Sequence, residues 1–235
     1  MALAGTFVAD LGAPGTLAAP NATAELTVSG DLALGGVLRL TSAGAAGAGS
    51  YRVLTAAGAT TGAFASVAVQ GIDNAALHQV VTTDAGVTRV DLFRLATTTG
   101  TIPATVAFGN VRPGAALTSS LTFAHGAVAD GFSEQLVGTA TGQGSGFAAV
   151  APGATGTVTF TLDRALAGAK TGASAVSIES VGVGSFANTV LRTGTVALTA
   201  NVYDLAAATL GATSLTLGNV RVASTAGFDV TNTVV

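Results

Sequence analysis

Residues 157–162 read Thr-Val-Thr-Phe-Thr-Leu, a strict alternation of polar and apolar side chains. A period of two places one set on one side of an extended backbone and the other set opposite, which a helix cannot do. The same alternation runs through Val196, Leu198, Ala200 and Val202, and through Leu117, Leu121 and Phe123 around Ser119. It recurs in Val90 and Leu92 against Arg89, Asp91 and Phe93. Helical periodicity is almost absent, and Gly, Thr and Ser interrupt these runs at intervals of about 8–12 residues, the spacing of short strands joined by turns. The chain is expected to be all-β.

A second feature divides the chain. Phe108-Gly-Asn-Val-Arg112 returns as Leu217-Gly-Asn-Val-Arg221, an offset of 109 residues, which is a normal length for one β-sandwich unit. Each copy is read as an apolar strand, a Gly-Asn turn and a second strand. With 235 residues there is room for one large or two modest domains. The expected organisation is a Gly/Ala-rich, solenoid-like β-domain over 1–95, and a linker over 96–103 marked by its Thr-rich run and Pro103. An Ig-like antiparallel sandwich follows over 104–207, then the opening strands of a further repeat over 208–235. Strands in that last segment, around Ser214–Leu217 and Phe228–Val230, are expected either to complete a neighbouring subunit's sheet or to rest on the preceding unit.

Two stretches resemble known families. Leu34-Gly35-Gly36, Tyr51-Arg52-Val53-Leu54 and Gly62-Ala63-Phe64, within residues 32–67, resemble the end of autotransporter-type and haemagglutinin-type passenger β-solenoids of bacteria. Residues 103–207, opening on Phe108 to Gly114 and closing on Val202 to Ala206, resemble the Ig-like "choice-of-anchor" repeats of large bacterial surface proteins. The resemblance implies an exported, repetitive, surface-associated protein and carries over no catalytic residue. No translocator barrel or sorting tail is read in the sequence, so it leaves the export route open.

Composition narrows the function classes. Charged residues make up 9% of the chain and the net charge is −3, against roughly 25% charged in typical domains. The nine basic residues, of which Lys170 is the one lysine, are dispersed. A nucleic-acid surface or a polybasic membrane patch needs them clustered. Mean hydropathy is +0.62, yet the longest uncharged stretches, 53–72 and 135–162, are broken by Gly and Thr and lack the run of about 20 apolar residues of a spanning helix. A membrane β-barrel would carry aromatic girdles, and there is no Trp and only two Tyr, Tyr51 and Tyr203. The absence of Cys removes disulfides and thiol chemistry. The first residues, Met-Ala-Leu-Ala-Gly-Thr-Phe, lack a signal peptide's basic and apolar regions, so the sequence is read as a segment of a longer exported chain.

No catalytic, cofactor-binding or metal-binding residue is assigned. His78 and His125 lie 47 positions apart without metal-type spacing, and are expected to be structural or surface histidines. No nucleophile elbow or phosphate loop occurs; Gly142-Gln-Gly-Ser-Gly146 is out of register for the former. The twelve acidic residues are scattered. The expectation is no cofactor, with a calcium ion between loop carboxylates such as Asp130 and Glu134 as the minor alternative. Asn21-Ala22-Thr23 is a formal sequon without weight in a bacterial chain. Arg112 and Arg221 are read as structural, stem along a sandwich edge and head paired. The function expected is a non-enzymatic structural or adhesive protein of a bacterial surface, forming a rod or filament by self-association or beside neighbouring repeats. A carbohydrate- or ligand-binding module is the alternative, weakened by 5% aromatics.

Overall fold

The computed structural model describes residues 1–22, 25–44, 46–73, 76–210 and 230–233. Every regular element among them is a strand. The first half opens with β1 (Ala2–Leu3), β2 (Thr6–Asp10) and β3 (Leu26–Val28). Next come β4 (Leu32–Leu34), β5 (Val37–Thr41) and β6 (Gly49–Ala56), then β7 (Thr60–Gly62) and β8 (Ser66–Gln70). The hairpin of β9 (Leu77–Asp84) and β10 (Val87–Arg94) closes this half.

Among β1 to β8, strands pair in parallel with the equivalent strand of the next coil, never with their sequence neighbour. The rows are β1-β4-β7, β2-β5-β8 and β3-β6. Ala33 follows its partner Ala2 by 31 residues, Thr60 follows Leu32 by 28, and Val67 follows Leu38 by 29. A near-constant step of this kind is a solenoid, each coil burying the apolar side of the one before. In the third row the parallel rule stops: β10 pairs antiparallel with β6 and carries β9 on its far side. The β9–β10 turn puts both Ala85 (φ 46°) and Gly86 (φ 81°) at positive φ, as a two-residue primed hairpin requires.

Inside the coils, Ala9, Leu38, Leu40, Tyr51, Val53, Val90 and Leu92 form one buried cluster, and Leu32, Leu34, Leu54 and Ala56 a second. The consecutive residues Val53 and Leu54 are both fully buried, one in each cluster. Simple alternation would expose one of them. The register against β10 skips from Leu54 to Arg52, a β-bulge whose extra residue turns two successive side chains inward.

The second half contains β11 (Thr98–Thr99), β12 (Thr105–Val111), β13 (Leu117–His125), β14 (Gln135–Ala140) and β15 (Gly144–Ser145). It continues with β16 (Phe147–Val150), β17 (Thr155–Leu162), β18 (Gly168–Val181) and β19 (Thr189–Val202). They form a four-stranded sheet, β11-β13-β17-β15, and a five-stranded sheet, β12-β19-β18-β14-β16. Phe123, Val158, Phe160 and Leu162 from the first meet Leu136, Val176, Ile178, Val196, Leu198 and Ala200 from the second in one core. This is a β-sandwich, Ig-like and antiparallel save for the parallel β12–β19 pair. Phe147 fills its edge: a Cβ at Gly138 on one sheet or Gly156 on the other would strike its ring.

Two local expectations need correction. Thr98–Thr99, read as linker, pairs with His125–Ala124, and Ala96 lies in the sandwich core; a polar run can still lend its backbone to a sheet edge. Phe108-Gly-Asn-Val111 is no turn between strands but a bulge within β12, where the register against β19 slips between Ala107 and Asn110 and Gly109 takes φ 73°. The slip rephases the strand, so that Val106, Phe108 and then Val111 pack on the core. The second copy, at 217–221, lies outside the described residues, as does Ser214–Leu217. Val230–Thr233 (β21) pairs antiparallel with Ala207–Leu210 (β20) of the same chain, Val230 opposite Leu210.

Candidate functional site

A dense polar cluster lies where the coils meet the sandwich, and its centre is Glu134, whose side chain is 0% exposed. Removing a carboxylate from water is costly unless its oxygens find donors. Here Oε1 accepts from His78 Nδ1 at 2.6 Å and from the Val183 N–H at 3.1 Å, and Oε2 accepts from Ser180 Oγ at 2.6 Å. Ser180 Oγ in turn accepts from the Ala96 N–H at 2.7 Å. The Glu134 backbone is held as well: its N–H donates to Arg94 O at 3.0 Å, and its carbonyl accepts from His125 Nε2 at 2.7 Å. A carboxylate only accepts, so His78 carries its proton on Nδ1; by the same reasoning His125 carries one on Nε2.

Around this centre the contacts are aromatic and ionic. His78 stacks on Phe186 with centroids 4.1 Å apart, and Phe93 packs against Phe132 at 5.9 Å. His78 and Phe93 are cross-strand partners at the end of the β9–β10 hairpin, while Phe132 and Phe186 sit on sandwich loops. Arg94 NH1 pairs with Asp130 Oδ2 at 2.8 Å, and the Phe132 N–H donates to Asp130 Oδ1 at 3.0 Å. Burial raises the Asp130 carboxyl's pKa, but the Phe132 N–H and Arg94 outweigh it and leave it below its ordinary value.

The two histidines are therefore neither exposed nor apart. Both are buried, at 6% and 1% exposure, and both bond the same residue. Asp130 and Glu134, paired in the sequence as calcium ligands, turn to different partners, and every Glu134 oxygen is taken by protein donors. Among the described residues no group of three or more His, Asp or Glu side chains is arranged to hold a metal ion. The Ser180–Glu134–His78 order places a carboxylate between serine and imidazole, whereas nucleophilic activation needs the imidazole in the middle. What this geometry does is fasten one surface to another.

A second polar group lies on the outer side of the coils. Arg52 and Arg89 stand directly opposite on β6 and β10, a repulsive pairing unless each is neutralised. Arg52 NH2 donates to Glu25 Oε2 at 3.0 Å, its Nε stands 2.9 Å from Oε1 as an ion pair without a hydrogen bond, and Thr55 donates to the same carboxylate. Arg89 Nε meets Asp91 Oδ2 at 3.0 Å, and Ser50 donates to Asp91 Oδ1 at 2.6 Å. Burial lifts Glu25's pKa, but the Thr55 and Arg52 contacts bring it below the ordinary value. Beside Arg89 a recess of about 340 Å³ is lined by Thr82, Asp84, Ala85, Val87 and Arg89. Tyr51, inside the coils, donates to Gly47 O at 2.9 Å and accepts from the Gly47 N–H at 3.0 Å; burial pushes its pKa up, partly offset by the Gly47 bond. Asn21 donates to the Ala13 carbonyl.

Arg112 differs from its expected role. It is exposed, and its carbonyl accepts from Arg164 NH1 at 3.4 Å; among the described residues its own head group makes no pair. Arg164, which the sequence did not single out, also donates to Ala115 O. Arg221 lies outside the described residues.

No protein-family model matches the chain, and no curated protein matches it. Among solved structures it is similar to the ASH / PapD-like domain of human CEP192 (PapD-like domain 7), at 9% identity and a TM-score of 0.33 over 47% of this chain and 86% of that one. So slight a likeness leaves function to the geometry of the chain itself. That geometry defines an all-β protein in which a coil stack is fastened to a β-sandwich.

Proposed function

We propose that this is a non-enzymatic, extracellular structural or adhesive protein of a bacterial surface, in which β-modules stack into a rod or filament. The observation that carries the proposal is the near-constant step of the coils. Ladders advancing by 28 to 31 residues are an architecture for extending a shape, and their ends are edge strands open to further pairing. Side chains on the outer side of the long β18–β19 hairpin, such as Thr171, Ala173, Ala175, Thr195 and Thr199, are small and uncharged and suit close packing. In this reading 1–95 and 104–207 are separate domains, and self-association runs through free strand edges, the β20–β21 ribbon among them.

Electron microscopy and sedimentation velocity on the full chain test the assembly. Particles that lengthen with concentration support it, and a monomer at every concentration overturns it. Protease shaving of intact cells that carry the native gene tests location: released fragments are expected, and complete protection overturns the surface assignment.

The recess beside Arg89 favours a second reading, a carbohydrate-binding module, because Arg89 and Asp84 both line one small concavity. A glycan array that scores wild type but not Arg89→Ala would support it. An array without hits would retire it.

A further inference from the structure

We infer that His78 and Glu134 form a polar latch that holds the coil stack and the sandwich in one fixed orientation. Their cores share no residue, and the chain passes between them once, from Arg94 to Ala96. A single backbone crossing is a pivot. Its freedom is reduced by two ring contacts: Phe93 and His78, neighbours across β10 and β9, rest on Phe132 and Phe186 of two different sandwich loops. These ring contacts, with the Arg94–Asp130 pair, resist rotation about the tether.

The carboxylate makes the arrangement two-state. Glu134 has three side-chain acceptor contacts, of which Ser180 and Val183 belong to the sandwich and only His78 comes from the coils. Swinging the hairpin away removes the His78 donor and lets water reach the carboxylate. A half-open position would leave a buried charge short of a donor without wetting it, the costliest state of the three. The joint is therefore either shut and dry or open and wet, and opening uncovers Phe93, Phe132 and Phe186 together. This holds wherever the protein acts and whether or not it polymerises.

The chain has no cysteine, so paired labels can be placed cleanly. Thr82→Cys on β9 and Thr139→Cys on β14, both exposed, would carry spin labels on the full chain for pulsed distance measurement. Wild type should give one narrow distribution. His78→Ala leaves the Ser180 and Val183 bonds intact, and should broaden it or add a second population of about a tenth of molecules or more. His78→Asn, which keeps a donor at similar reach, should narrow it again. Hydrogen exchange in β6, β10, β17 and β18 should be unchanged in both variants. A distribution unmoved by His78→Ala overturns the latch. So does equal broadening in both variants, or broadening that comes with lost protection inside either half.

Discussion

The two halves reach a buried core by opposite routes. In the sandwich, β18 and β19 are 14 residues each and pair as one long hairpin, from Gly168 opposite Val202 to Ser180 opposite Thr189. In the coils most strands are 2 to 5 residues long and pair only with a strand a full coil away. A hairpin sets its register locally, through its turn. A coil stack sets it through turn length and through irregularities such as the Val53 bulge, so its parallel strands find partners only after a long loop is closed. The sandwich should therefore tolerate injury to its periphery, while any coil that slips carries its neighbours with it.

The sharpest way to break this comparison is to damage each core separately. Phe160→Ala in the sandwich should cost about 3–5 kcal/mol, and Leu38→Ala in the coils about 2–5 kcal/mol. Residue-resolved hydrogen exchange should show each loss confined to its own half; equal loss in both would mean that one cooperative unit spans the joint. At intermediate size, Gly156→Ala drives a methyl into Phe147 and should cost about 1–3 kcal/mol in urea denaturation, with the coils again unaffected.

The smallest effects are electrostatic. Glu25 in the coils and Asp130 at the joint both titrate below their ordinary values when folded. Each thus contributes stability above its unfolded value, and that contribution is lost as pH falls through its folded value. Melting curves between neutrality and the carboxylate range should show both losses. Arg52→Ala, which removes a half-exposed partner, should cost about 1 kcal/mol or less at neutral pH and flatten the acid response of the coils only. A larger loss would mean that the Arg52–Arg89 repulsion is better neutralised than these distances indicate.

Much of the sandwich could be read directly. Val158, Phe160 and Leu162 alternate in sequence and are all buried, as are Val196, Leu198 and Val202, because one face of each strand meets the core and the other meets water. The coils were legible as strands, and the resemblance pointed to a solenoid, but Val53-Leu54 breaks the alternation for a reason only the bulge supplies. The joint was not legible. Glu134 lies 56 positions from His78 and 46 from Ser180, and no local pattern marks three residues that meet only after both halves fold. Its sole trace was a glutamate and two histidines in an otherwise charge-poor chain.

The bulge at Gly109 bears on how the border of the five-stranded sheet is protected. β12 forms one side of the five-stranded sheet, where an unbroken row of backbone donors and acceptors would template any passing strand. A local extra residue twists that border and interrupts its hydrogen-bonding rhythm. The phrase Gly-Asn-Val-Arg thus amounts to a guard against indiscriminate stacking. The phrase recurs from residue 218, where the chain lies outside the described residues.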